Sequence, residues 1–314
     1  MHLDPRRFML PERYDVLCVS GALSTAIRRI CATLANSARL IVWQEKQASI
    51  YQQAKPIVKT MILCGGQGTR LREETEYRPK PLVEIGGRPI LWHIMKTYAH
   101  FGFNEFVLCL GYRGQMIKDY FLSYEAMTND FTVTLGSERN VQYHGAHDEQ
   151  SFKVTLAETG LNTMTGGRVQ RASTYIDDDI FLMTYGDGVA NVDIQKLVDF
   201  HHSHGKLATV TVMRPMSRFG ELGLNDDGVV KWFVEKPQSD AWASAGYFVL
   251  NRKVFDQLDG DECIFEQKPL RSLAEQGELV AYRHEGFFFA MDTYREFLYL
   301  NDLWDNDKAP WKIW

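Results

Sequence analysis

From residue 58 onward the chain alternates between two rhythms. Nearly unbroken apolar runs at 60–63, 105–110, 180–184 and 207–213 have the length of strands buried on both faces. Between them, apolar residues recur at helical spacing. In the segment from Pro89, Leu91, Ile94, Met95 and Tyr98 share one face, proline stands in the first turn, and Gly102 sits where a C-cap glycine is expected. The same reasoning predicts helices over 115–125 and 194–202, the second with Asp193 as N-cap. Shorter strands are expected at 229–234, 245–250 and 278–282. Strands and helices in this order predict an α/β fold, a mostly parallel sheet flanked by helices, with a small mixed β region. Two runs, 131–135 and 152–156, alternate like the limbs of a hairpin that leaves the main sheet and offers an oligomer contact.

Residues 1–57 have a different texture. Leu23, Ala26, Ile27, Ile30, Cys31 and Leu34 share a helical face, and no acidic residue occurs between Val16 and Trp43. Asp4, Glu12 and Asp15 precede that stretch and no cleavage pattern is evident, which argues against a targeting peptide. We divide the chain into an N-terminal extension, 1–57, to which no chemistry is assigned, and a domain at 58–314.

Composition narrows the setting. With 314 residues, 45% apolar and 24% charged, the chain can bury a sizeable core and has ordinary globular composition. A formal net charge of −5 argues against a nucleic acid or an anionic membrane as main partner. No apolar run approaches the roughly 20 residues of a membrane span. The five cysteines are scattered without a CxxC pair, which fits reduced thiols and a cytoplasmic setting.

The chemistry concentrates in 61–83, MILCGGQGTRLREETEYRPKPLV. A short apolar run stops at glycines, whose missing Cβ lets backbone N–H groups approach a phosphate. Arg70 and Lys80 set two cations beside that cradle, where a triphosphate needs its charge neutralised. The spacing is neither GxGxxG nor a Walker loop. A second motif, Tyr185-Gly186-Asp187-Gly188, follows the run at 180–184. Ligands of open α/β sheets bind at the carboxyl ends of strands, and an aspartate between glycines there can place an oxygen on Mg²⁺. Asp and Gly also build ordinary turns. Asp292, in Met291-Asp292-Thr293, would supply a second carboxylate, and it could equally cap the helix that follows. His201, His202 and His204 lie near a helix end with no cysteine or carboxylate spaced for zinc, so no metal is assigned to them. His93 is expected in the core or an interface.

The run GGQGTRL…RPKPLVEIGGRPIL resembles the sugar-1-phosphate nucleotidyltransferases, whose signature is GGxGTRL followed by a lysine segment. Glu235-Lys236-Pro237 matches that family's EKP element, Ser244-Ala245-Gly246-Tyr247 its sugar-pocket turn, and Met291-Asp292-Thr293 its MDT element. Ala245 and Ala290 depart from the usual pattern. Thr163-Met164-Thr165-Gly166-Gly167-Arg168, read as a glycine turn delivering an arginine, brings the likeness closest to the branch that uses CTP and glucose 1-phosphate. The resemblance spans 58–314, with VKTMILCGG replacing an initiating MKxxILxGG. It leads us to expect Val58 as the native start, which intact-mass analysis would overturn by finding the leader attached.

The resemblance implies a Rossmann-like nucleotidyltransferase fold and Mg²⁺ as cofactor. It implies Leu63, Cys64, Gly65, Gly66, Gln67, Gly68, Thr69, Arg70, Lys80, Arg168 and Tyr185 around the nucleotide. Glu235, Lys236 and Gly246 would meet the sugar phosphate, and Asp187 and Asp292 the metal. Arg70, Lys80, Asp187 and Lys236 would carry the catalysis. A homo-oligomer, of which a hexamer is one form, is also implied. Base choice lies in pocket detail, so thymidylyl, uridylyl or guanylyl transfer stays open, as does another sugar phosphate. An inactive sugar-nucleotide-binding regulatory subunit is the alternative of another class. The presence of Arg70, Lys80, Asp187, Lys236 and Asp292 together speaks against it.

Overall fold

The computed structural model describes residues 58–136, 140–217 and 219–314, so the helix expected over 23–34 lies outside the described residues. The central sheet has seven strands: β1 Thr60–Leu63, β2 Glu105–Leu110, β3 Lys153–Glu158, β4 Ile180–Tyr185, β5 Ala208–Met213, β6 Ala243–Asn251 and β7 Leu279–Arg283. They lie side by side in the order β7-β5-β6-β4-β1-β2-β3. β1 runs parallel to β2 and β4, β3 to β2, and β7 to β5. Only β6 is reversed, antiparallel to both β4 and β5.

The strands at the centre read as continuous apolar runs because both faces are covered. Ile62, Cys64, Leu108 and Leu110 enter one core layer, while Met61, Leu63, Val107 and Cys109 enter the other. Helices α1 Ile90–His100 and α4 Ile194–His204 cover the first layer through Leu91, Ile94, Met95, Tyr98, Leu197 and Val198. Helices α3 Thr165–Ala172 and α5 Lys268–Glu275 cover the second through Val169, Ala172 and Leu273. Among the described residues, the remaining helices of eight residues or more are α2 Gly114–Leu122 and α6 Tyr294–Asp305. Among the described residues, no helix is long and apolar enough to cross a membrane.

Local signals were read well. Asp193 caps α4, its Oδ1 accepting the Lys196 N–H at 2.9 Å. That helix continues to His204 and closes at Gly205, whose φ of +64° makes the left-handed turn. The helix expected over 115–125 is broken at Ser123, after which Tyr124–Thr128 forms a separate short helix. Residues 152–156 need a larger correction. They are no hairpin limb: β3 joins the main sheet as its edge strand, from Glu105↔Lys153 to Leu110↔Glu158. The hairpin at Asp130–Thr134 exists, but its partner is Asn140–His144. An edge strand covered more on one face than on the other alternates as a hairpin limb does, and the pattern does not name its partner.

Candidate active site

Two aspartates far apart in the chain meet because a small ribbon joins their segments. Directly after β4, Gly188–Ala190 pairs antiparallel with Phe288–Ala290, and Gly188 stands opposite Ala290. The Met291 N–H then donates to the Asp187 carbonyl at 2.9 Å. Asp187 and Asp292 follow from that register, at the carboxyl end of the sheet. Asp292 does not cap α6. Thr293 does, in a reciprocal capping box with Glu296, which leaves the Asp292 carboxylate to face the site.

Lys80 lies between the two carboxylates. Its Nζ is 2.7 Å from Asp187 Oδ2 and 2.6 Å from Asp292 Oδ1, with the side chain only 11% exposed. Burial lowers the affinity of this amine for its proton, but Asp187 and Asp292 outweigh that effect and hold the ammonium above its ordinary pKa. Arg70 adds a second cation, 3.8 Å from Asp292 Oδ2 and largely exposed. The glycine loop starts from β1 on the same edge: Leu63, Cys64 and Gly65 are buried, whereas Gly66, Gln67, Thr69 and Arg70 face solvent. The Cys64 thiol is pushed well up by burial, so it contributes packing rather than a nucleophile.

Beside the carboxylates lies a cavity of about 300 Å³, lined by Thr184, Tyr185, Asp187, Gly188, Ser244, Ala245, Gly246, Tyr247, Glu266, Phe288, Ala290 and Asp292. Gly246 has a φ of +74°, and a Cβ there would stand 2.5 Å from the Tyr185 ring, so both backbone and neighbour demand glycine. Glu266 is the lining group that sequence reasoning missed. One of its oxygens accepts a short hydrogen bond from the Tyr185 hydroxyl, the other accepts from Thr165 Oγ1 at 2.6 Å. No local motif surrounds Glu266, and only the approach of its loop to β4 and α3 discloses it. Burial and the neighbouring carboxylate together keep the Tyr185 hydroxyl protonated.

Three expected residues are placed differently. Glu235 and Lys236 follow an antiparallel ribbon, Glu221–Leu224 with Val230–Val234, and are not among the cavity's lining residues. Lys236 Nζ lies 3.4 Å from Glu235 Oε1, and its backbone adopts a φ of +47°. Arg168 belongs to helix α3, not to a glycine turn. Gly166 and Gly167 instead let that helix approach the backbone at 260–263 closely. The Arg168 guanidinium is buried under the glycine loop. It donates to the carbonyls of Leu110 (3.0 Å), Gly160 (2.6 Å), Gly65 (3.1 Å) and Leu161 (3.2 Å), and to Thr159 Oγ1 (2.9 Å). Both terminal nitrogens are thereby engaged by the protein. The arginine expected at the nucleotide is, in this structure, a buttress.

The donor set suits a hard divalent ion. Asp187 and Asp292 are about one-third exposed and offer oxygens to a common cation. Among the described residues, no group of three or more His, Cys, Asp or Glu gathers as a metal site, so two carboxylates would leave most of the shell to phosphate and water. Open coordination of that kind is usual for Mg²⁺ in phosphoryl chemistry.

A glycine loop, a buried lysine, two converging carboxylates and an adjoining cavity thus meet at one end of the α/β sheet. The nucleotidyl transferase family matches residues 59–286, and the chain belongs to it. Glucose-1-phosphate cytidylyltransferases of Salmonella typhimurium and Salmonella typhi are each 49% identical to it over 259 residues, 82% of this chain and 100% of theirs. Among solved structures, that of HddC from Yersinia pseudotuberculosis complexed with GMP-PN matches with a TM-score of 0.56 at 21% identity, over 79% of this chain and 99% of that one. At that identity the likeness is one of fold.

Proposed function

We propose that the chain transfers a cytidylyl group from CTP to glucose 1-phosphate, giving CDP-glucose and pyrophosphate. The observation that carries the reading is the convergence of Lys80, Asp187 and Asp292 between the glycine loop and the cavity. The relatives at 49% identity support the choice of base and sugar.

The sugar phosphate is already anionic at neutral pH, so its oxygen can attack the α-phosphorus without a general base or a covalent intermediate. Catalysis then rests on position and charge. The loop from Leu63 to Arg70 would receive the triphosphate on backbone N–H groups, and Arg70 and Lys80 would neutralise it and the departing pyrophosphate. Asp187 and Asp292 would hold Mg²⁺. When bound, that ion supplies Lewis-acid stabilisation of charge at the reacting phosphorus. Glu266 and the Gly246 turn would receive the sugar hydroxyls in the cavity, with Tyr185 holding the Glu266 carboxylate. Lys236 would orient the attacking phosphate from the ribbon.

The scattered thiols and the nucleotide substrate support a cytoplasmic enzyme. Exposed apolar residues on two ribbons, among them Phe131, Leu135, Trp232 and Phe233, support a homo-oligomer. The test offers the protein glucose 1-phosphate, Mg²⁺ and each nucleoside triphosphate separately, and reads pyrophosphate release with product mass. CDP-glucose formed preferentially from CTP is the expected result. Preference for another triphosphate would replace the base, and no turnover in a folded protein would overturn the reading.

A further inference from the structure

The two carboxylates assigned to the divalent ion are already bound to a cation, and that cation is part of the chain. Lys80 Nζ approaches one oxygen of each, at 2.7 and 2.6 Å. A divalent ion reaching the same two oxygens needs distances of about 2.1 Å for Mg²⁺. It would then crowd the ammonium, and two positive charges that close repel strongly. The two cations therefore compete for one position. The lysine is built to leave it. Its backbone is fixed in the short 3₁₀ turn Lys80–Leu82, where the Leu82 N–H donates to the Pro79 carbonyl at 2.8 Å. Its four-carbon stem, by contrast, can rotate the ammonium without moving the chain. The glycine loop packs beside that stem, since a Cβ on Gly68 would lie 3.3 Å from Lys80 Cβ. A triphosphate seated on the loop would thus offer the ammonium an alternative set of oxygens within reach.

We propose that Lys80 is an exchangeable counter-ion. It holds Asp187 and Asp292 together until nucleotide phosphates draw its ammonium away, and only then do the carboxylates accept a divalent ion with full affinity. The device rests on the reading of Asp187 and Asp292 as metal ligands. It couples metal to nucleotide: each strengthens the other by the same factor, because Lys80 must leave before either can use the site fully. In the free protein it also relieves the repulsion between two converging carboxylates.

The test uses Mn²⁺ as probe and the full-length protein without nucleotide, reading free Mn²⁺ by electron paramagnetic resonance. Lys80→Met is expected to bind Mn²⁺ at least tenfold more tightly than wild type, and Asp187→Asn added to it should abolish the gain. Equal or weaker binding by Lys80→Met would overturn the exchange. The metal assignment is read separately, from Mn²⁺ binding in the presence of CTP. If Asp187→Asn leaves that binding unchanged, the assignment and the exchange both fall; if it weakens it while Lys80→Met shows no gain, only the exchange falls. A measurement on wild type needs no variant to fold. With ¹⁵N-labelled lysine, the ion-paired Lys80 ammonium should give a slowly exchanging resonance that shifts or broadens on Mg²⁺ saturation. A resonance unmoved while Mg²⁺ binds would exclude the exchange.

Discussion

The carboxylate centre and the Glu235–Lys236 ribbon are built on opposite principles. Asp187 extends directly from a strand whose residues Phe181, Leu182 and Met183 are fully buried, and a paired ribbon fixes Asp292 beside it. Every residue of Val230–Val234 is exposed, and none belongs to either core cluster. The carboxylate centre is held by the packing of the whole domain. The ribbon is a two-stranded element, and two strands alone are marginal in water. In the proposed mechanism, the groups that would handle charge at the reacting phosphorus are preorganised, while the lysine assigned to the attacking phosphate is carried on an arm.

The strongest way to break this contrast is at the rigid end. Asp187→Asn should lower turnover about a thousandfold or more, in the range where a transition-state charge contact is lost. The fold should survive, because the carboxylate is partly exposed. Pyrophosphate release and a thermal melt on one preparation check both halves. Near-normal turnover with Mg²⁺ would remove Asp187 from the metal site.

Arg168 sharpens the comparison through stability. Arg168→Met removes five hydrogen bonds beneath the glycine loop, leaving the Leu110 carbonyl to Thr159 and the Gly65 carbonyl to the Tyr112 N–H, and should cost about 3–5 kcal/mol, with the nucleotide KM rising because Gly65 loses one of its two supports. Urea unfolding reads the first effect and steady-state kinetics the second. A variant as stable as wild type would show that the buttress is dispensable.

Acid should weaken the rigid half. His93 is fully buried and pushed down to about 4 by desolvation, with its Nε2 donating to the Ile85 carbonyl at 2.9 Å and its Nδ1 accepting from Trp311. An imidazole whose folded pKa is depressed contributes stability that is present in full above its unfolded value near 6.5 and lost as pH falls toward 4. The loss should reach about 3 kcal/mol across that window. Urea melts at pH 7 and pH 4 measure it, and His93→Phe should flatten the slope. An unchanged slope would place the sensitivity at His201, likewise pushed down to about 4 by burial.

The arm should respond in the opposite sense. Lys236→Ala should lower kcat/KM for glucose 1-phosphate by roughly tenfold to a hundredfold, as for a lost charged contact, while the melting temperature stays put. Smallest of all, Lys236→Gly should relieve the left-handed backbone and stabilise the protein by up to about 1 kcal/mol while losing the same activity. A melting temperature that fell in either variant would mean that the arm is packed rather than free.

Much of the frame was legible in advance. Strands at 60–63 and 105–110 begin and end where the apolar runs do, and Asp193 caps its helix as its residue type suggests. These features depend on neighbours one to four positions away, which is the range over which periodicity and capping act. The glycine loop and the Tyr185–Gly188 turn were legible for the same reason: a strand end followed by glycines is a local arrangement.

What stayed hidden involves distance along the chain. Lys80 meets carboxylates 107 and 212 residues away. Arg168 turns inward because Gly65, 103 residues earlier, presents a carbonyl there. Glu266 reaches the cavity through a tyrosine 81 residues before it, and β3 joins β2 rather than the hairpin that precedes it. Local pattern set most of the segments that become strands and helices, and where the polar groups of the centre sit along them. Packing in three dimensions set which strand pairs with which, which carboxylates share a cation, and whether a long side chain faces a ligand or a carbonyl. The physical reason is that secondary structure answers to local periodicity, whereas a flexible charged side chain settles on whichever oppositely charged or polar groups the fold brings within its reach.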